Sequence, residues 1–103
     1  MSKAKELLPR VKANLIIQHD EDDALLLGFI AAALDYAESY QKIKYGRKKL
    51  PPTTELAIVL LSSHLYESRD GSTGGFFSNY VGSVANVWQT VNRLLAMEKR
   101  WDV

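Results

Sequence analysis

Apolar residues recur three and four positions apart in four stretches of the chain, the spacing that places side chains on one face of a helix. The least polar of these stretches runs from Pro51 to Asp70. Ile58, Leu61 and Leu65 form one row, and Leu56 and Leu60, continued by Ser63, form a second. Two apolar rows need two covering neighbours, so this segment is expected to be the central helix with the others packed around it. Its ends are marked. Pro51 and Pro52 disfavour helix before them, Thr53 or Thr54 can cap the first free amides, and Glu55 suits the positive pole. At the far end Arg69 suits the negative pole and Gly71 can take the left-handed turn that closes a helix.

The other stretches follow in order. Leu7, Leu8, Val11 and Leu15 share helical spacing, but Pro9 is comfortable only in a first turn, so a short helix is expected from about Pro9 to Ile16. Asp20 then reads as an N-cap, with Asp23 three residues on in a capping-box-like position. The long helix it opens carries Leu26, Ile30, Ala33, Ala37 and Tyr40 on one seam and Leu25, Phe29, Ala32 and Tyr36 beside it. Asp35, Glu38 and Gln41 fall on its wet side, and Ala31, Ala32 and Ala33 would let the central helix approach closely. Lys42 to Lys49, KIKYGRKK, is a basic connector without a carboxylate. After the central helix, GSTGGFFSNYVGS reads as a glycine-rich loop whose aromatics Phe76, Phe77 and Tyr80 are expected to lie on a neighbouring chain. Ser83 is expected to cap the last helix, striped by Val84, Val87, Trp88, Val91, Leu94 and Leu95, with Trp101 at its end. The predicted fold is all-α, a small helical bundle of one short and three longer helices with a long Gly-rich loop before the last.

Composition narrows this picture. A chain of 103 residues fits one domain, and 47% hydrophobic against 24% charged residues is the balance of a folded protein. Its apolar runs fall short of the roughly 20 residues that span a bilayer. The N-terminus MSKAKELLPRVK has no continuous apolar core of the kind an export signal needs, so use in the cytoplasm is expected. Cysteine is absent, which excludes disulfides, thiolate catalysis and sulfur-based zinc sites. The net charge of +1 is far below that of a dedicated nucleic-acid-binding domain, but the charges are unevenly placed.

Few residues invite chemistry. The run Asp20, Glu21, Asp22, Asp23 could attract a hard cation, but consecutive residues at a helix start diverge, and capping with solvation is the favoured reading. His19 and His64 are the two histidines, and neither lies in a nucleophile motif; His64 reads as packed or interfacial. Gly71, Gly74, Gly75 and Gly82 fit no phosphate-binding pattern. An enzyme is the weakest hypothesis, and neither a metal nor another cofactor is expected. Lys42, Lys44, Arg47, Lys48 and Lys49, with Tyr40 and Tyr45, could contact an acidic protein surface, or phosphates and bases. The plain alternative is a solvated loop. Trp88 and Trp101 read as core or interface.

Taken in order, VKANL (Val11 to Leu15), HDEDDALL (His19 to Leu26), IAAALDYAESY (Ile30 to Tyr40) and the proline-led ELAIVLLSSHLYESRD (Glu55 to Asp70) resemble one family. It is the small head-tail connector, or adaptor, proteins of long-tailed double-stranded DNA phages, often labelled DNA-packaging or head-completion proteins. The signature Leu65, Tyr66, Glu67, Arg69 and the ending LLAMEKRW, Leu94 to Trp101, add to the resemblance. It implies a virion subunit, assembled in the host cytoplasm, that forms a homo-oligomeric ring beneath the portal protein and extends the DNA channel. A further face would meet the next head-completion or tail protein, DNA would pass only as cargo, and no reaction, cofactor or membrane is implied. On this reading the candidate interface residues are Asp20, Asp22, Asp23, Lys44, Arg47, Lys48, Lys49, Phe76, Phe77, Tyr80 and Trp101. An acidic helix start and a separate basic connector would let one face of a subunit attract the opposite face of the next, a heterologous contact that closes by rotation. The competing reading is a small helical DNA-binding or regulatory module using residues 42–49, with Asn86, Gln89, Asn92 and Arg93 on the polar side of the last helix.

Overall fold

The computed structural model describes residues 3–46, 48–68 and 77–98, with the backbone alone over 77–85. Among these residues four helices follow one another: α1 (Lys3–Leu15), α2 (Asp23–Gln41), α3 (Pro52–Ser68) and α4 (Phe77–Ala96). Among the described residues there is no strand, and the fold is an all-α bundle. α3 packs against each of the other three, α2 also touches α1 and α4, and α1 and α4 do not meet among the described residues. The central position of α3 follows from its sequence, because a helix apolar on two faces is unstable until both are covered.

The core draws Leu7 and Val11 from α1, Leu26, Ile30, Ala33 and Ala37 from α2, Ala57, Ile58, Val59 and Leu61 from α3, and Val91 and Leu95 from α4. Tyr45 and Leu50 join it from the connector. Each large side chain buried in this way contributes on the order of 1.5 to 3 kcal/mol.

Several local expectations are corrected. α1 begins at Lys3 and carries Pro9 inside it, rather than starting there. Leu7 and Val11, four apart, are both buried on one face, and burying Leu7 requires helix before the proline. That burial offsets much of the ~3 kcal/mol that an interior proline costs. α2 begins later than Asp20. Its N-cap is Asp22, whose side chain makes no capping bond, while the first turn closes through the Leu26 amide on the Asp22 carbonyl at 2.8 Å. Ala31 and Ala32 are exposed, so close approach rests on Ala33 and Ala37.

On α3 the second buried face is Val59, Ser62 and Ser63, and Leu56 of the expected row is 43% exposed. Small serines suit a crowded face when their hydroxyls are bonded: Ser62 donates to the Ile58 carbonyl at 2.7 Å and Ser63 accepts from Asn14 Nδ2 at 2.8 Å. The helix starts at Pro52, so Thr53 and Thr54 lie within it rather than capping it, and Thr54 is fully buried. α4 begins at Phe77, which places Ser83 inside the helix and shortens the expected loop. What remains of that loop, from Gly71 to Phe76, lies outside the described residues.

One end of the bundle is fastened by a polar cluster rather than by more hydrocarbon. Gln41, expected on the wet side of α2, is fully buried. Its amide donates to Thr54 Oγ1 at 2.8 Å and to the Leu95 carbonyl at 3.0 Å, and its oxygen accepts from the Tyr45 hydroxyl at 2.5 Å. α2, α3, α4 and the connector therefore meet at one side chain. The Tyr45 amide in turn donates to Glu38 Oε2 at 2.9 Å, which anchors the connector to the last turns of α2. Nearby, Tyr36 of α2 donates to Asn92 of α4 at 2.6 Å and meets the Trp88 ring edge-on, with centroids 5.3 Å apart.

Candidate interaction site

The turn that follows α1 is acidic and holds Asp20, Asp22 and Asp23, and the connector tied to its start is basic and holds Lys44, Lys48 and Lys49. At its C-terminal end the helix closes through two backbone bonds, Ile17 amide to Lys12 carbonyl at 2.9 Å and Ile16 amide to Ala13 carbonyl at 3.2 Å. This is the paired closure that usually places glycine at the left-handed position. Here that position is Ile16, at φ 58° and 82% exposed. The chain then turns through His19 to Asp22 into α2.

Lys12 holds that turn. Its ammonium donates to Asp20 Oδ1 at 2.6 Å and Asp23 Oδ1 at 2.9 Å. The hydrogen bonds to Asp20 and then Asp23 raise the Lys12 pKa, and the bond from Lys12 draws the Asp20 carboxyl below its ordinary range. Asp22 accepts from the Tyr66 hydroxyl of α3. The expected acidic cluster is therefore partly engaged within the subunit: Asp22 and Asp23 are half-buried, while Asp20 and Glu21 stay exposed. Four carboxylates against one ammonium still leave the turn strongly negative. Among the described residues no three histidine or acidic side chains are grouped as a metal ion would require.

At the N-terminal end of α1 a cleft of about 480 Å³ opens between the helix, the connector and the start of α3. Leu7 and Leu50 lie in it, and Lys3, Arg10 and Lys49 line it with Glu6 and Glu55. Arg10 pairs with Glu55, and the Lys3 ammonium donates to the Lys48 carbonyl at 2.6 Å, so the connector is tied to α1 through its backbone. Lys44, Lys48 and Lys49 are exposed, as an interaction surface requires. Tyr45, expected as a base-stacking partner, is instead a core residue bonded to Gln41, and the connector is left without that aromatic face. On α4, Asn86, Gln89 and Arg93 are exposed, but Asn92 is held by Tyr36.

The structure thus brings Asp20, Asp22 and Asp23 together at one end and Lys44, Lys48 and Lys49 in the connector. Arg47, Phe76 and Trp101 lie outside the described residues, and Phe77 and Tyr80 are placed by backbone alone, in the first turn of α4. Sequence reasoning did not single out Ile16 or the cleft residues Lys3, Glu6 and Arg10. No helix among the described residues is long and apolar enough to cross a membrane. Compared with known proteins, residues 5–95 match the family model described as phage gp6-like head-tail connector protein. No curated protein and no solved structure matches the chain.

Proposed function

The chain belongs to the phage gp6-like head-tail connector family, and from that premise we propose that it works as a repeating subunit whose copies close into a ring beneath the portal. The ring would prolong the DNA channel and offer its far face to the next connector or tail protein. A connector is a structural component of the virion, and its working property is association rather than turnover. The match over residues 5–95 carries the reading.

Charge placement supports it. The negative α1–α2 turn and the basic connector flank opposite ends of α1, where one subunit's acidic end can meet the next subunit's basic end. Contacts between unlike surfaces repeat by rotation and close into rings when the rotation divides a full turn. On this reading the exposed Asp20, Lys44, Lys48 and Lys49 steer the encounter, with Asp22 and Asp23 adding charge behind Asp20. Arg47, Phe76, Phe77, Tyr80 and Trp101 are proposed to complete the contacts with neighbouring subunits, the portal or the tail.

Sedimentation velocity over a concentration series, with and without portal protein, tests the proposal. A single closed oligomer is expected, free or on the portal. A chain that stays monomeric at high concentration, at low and moderate salt and with portal present, would overturn it.

A further inference from the structure

Ile16 departs from expectation twice. A β-branched residue is a costly choice at a left-handed position that glycine fills without strain, and a large aliphatic side chain 82% exposed gains nothing from the subunit's own core. The left-handed backbone aims it outward beside the acidic turn, where Asp20 and Glu21 are exposed. At the opposite end of the same helix lies a cleft of about 480 Å³ with Leu7 and Leu50 in it and Lys3 and Lys49 beside them. One end is an apolar knob flanked by negative charge; the other is a partly apolar hole in which Arg10 pairs with Glu55 and Lys3 and Lys49 outnumber Glu6, a net positive lining.

We propose that Ile16 of one copy of this chain seats in the Leu7–Leu50 cleft of the next, with Asp20 and Glu21 set against Lys3 and Lys49. The occupant is a second copy because the exposed acidic turn beside Ile16 and the net positive lining of the cleft are opposite in sign. Ile16 stands exposed and nine residues beyond Leu7, about 13 Å along the helix axis, so a subunit does not fill its own cleft, and two copies joined this way leave one knob and one hole free. The contact is therefore heterologous and propagates. This inference rests on the ring reading above and names the residues through which the ring would close.

The chain has no cysteine, so introduced thiols report on this contact alone. Ile16→Cys and Lys49→Cys, made separately, carrying tags of different mass and mixed under mild oxidation, should form the mixed disulfide at least about tenfold faster than either forms its own homodimer, because docking raises the local thiol concentration. The double variant should give a ladder of covalent multimers. Ile16→Gly relieves the left-handed strain, so it should keep or raise the melting temperature while weakening association at least about tenfold. Oligomers of normal size without a preferred mixed disulfide, or full assembly of Ile16→Gly, would overturn the knob-in-cleft contact and leave the ring reading standing. A chain that remains monomeric even with portal would overturn both.

Discussion

Removing the amide of Gln41 strands three partners at once: the Thr54 hydroxyl, the Leu95 carbonyl and the Tyr45 hydroxyl. A buried polar group left without a partner costs about 1 to 3 kcal/mol, and members of one network do not add independently. Gln41→Met, which keeps the volume and deletes the bonds, should therefore destabilise the fold by about 2 to 4 kcal/mol. A urea midpoint that falls with unchanged slope would show it, whereas a loss below about 1 kcal/mol would mean that water replaces the amide. Helical spacing does put Gln41 in line with the seam, four residues after Ala37, but a polar residue type at the end of a helix argues for solvent unless partners are known. Its partners are 4, 13 and 54 positions away, and only their convergence makes an inward polar side chain favourable. Ile16 was hidden for a related reason: a left-handed isoleucine is a property of how α1 closes, and its residue type alone argues for helix or strand.

α1 is the element most at odds with its own sequence. Pro9 removes the amide that would bond the Lys5 carbonyl and crowds the preceding turn, yet the helix runs through it from Lys3 to Leu15. Tertiary contacts hold the segment before the proline: Leu7 is buried in the core and the Lys3 ammonium reaches the Lys48 carbonyl. Because Pro9 is exposed, Pro9→Ala should restore the missing bond without disturbing packing. The expected gain is about 1 to 2 kcal/mol, less than the full proline cost, since proline also restricts the unfolded chain. Chemical denaturation measures this directly, and a decrease in stability would show that the ring packs on a surface the helix needs. α4 taught the converse. Its apolar stripe through Val91 and Leu95 was legible, but its start was not, because the glycines and serines before Val84 argued for loop while the backbone is helical from Phe77.

At the scale of the whole molecule, the proposed ring contact rests on the division of charge between the acidic turn after α1 and the basic connector near its start. Lys48→Glu combined with Lys49→Glu reverses two of the five positive charges of residues 42–49, leaving three positive against two negative, and keeps the Lys48 carbonyl, which Lys3 uses, in place. Exposed charges contribute little to folding, so the urea midpoint should move by less than the equivalent of about 0.5 kcal/mol and the helical circular dichroism should stay the same. Association should weaken, and wild-type association should weaken with salt in the same direction, because exposed charges are screened within about 10 Å at 0.1 M ionic strength. Sedimentation in a salt series checks both. Unchanged assembly of the double variant would reduce the connector to a solvated loop.

The sequence by itself determined the class of fold, the number of helices, the central place of α3 and the seam Leu26, Ile30, Ala33 and Ala37, because each depends on residues a few positions apart whose spacing sets a common face. It also carried the family, through landmarks whose order survives without any knowledge of contacts; two of them, the acidic turn and Tyr66, touch through the Asp22 hydrogen bond. The tertiary structure alone decided that the Gln41 amide and the Tyr45 hydroxyl find their partners inside, that Asp20 answers to Lys12 rather than capping a helix, and that a cleft forms where α1, the connector and α3 meet. Those outcomes depend on residues distant in sequence arriving at one place. A polar or charged side chain takes its partner from whatever the fold brings within about 3 Å, and no local pattern specifies that partner.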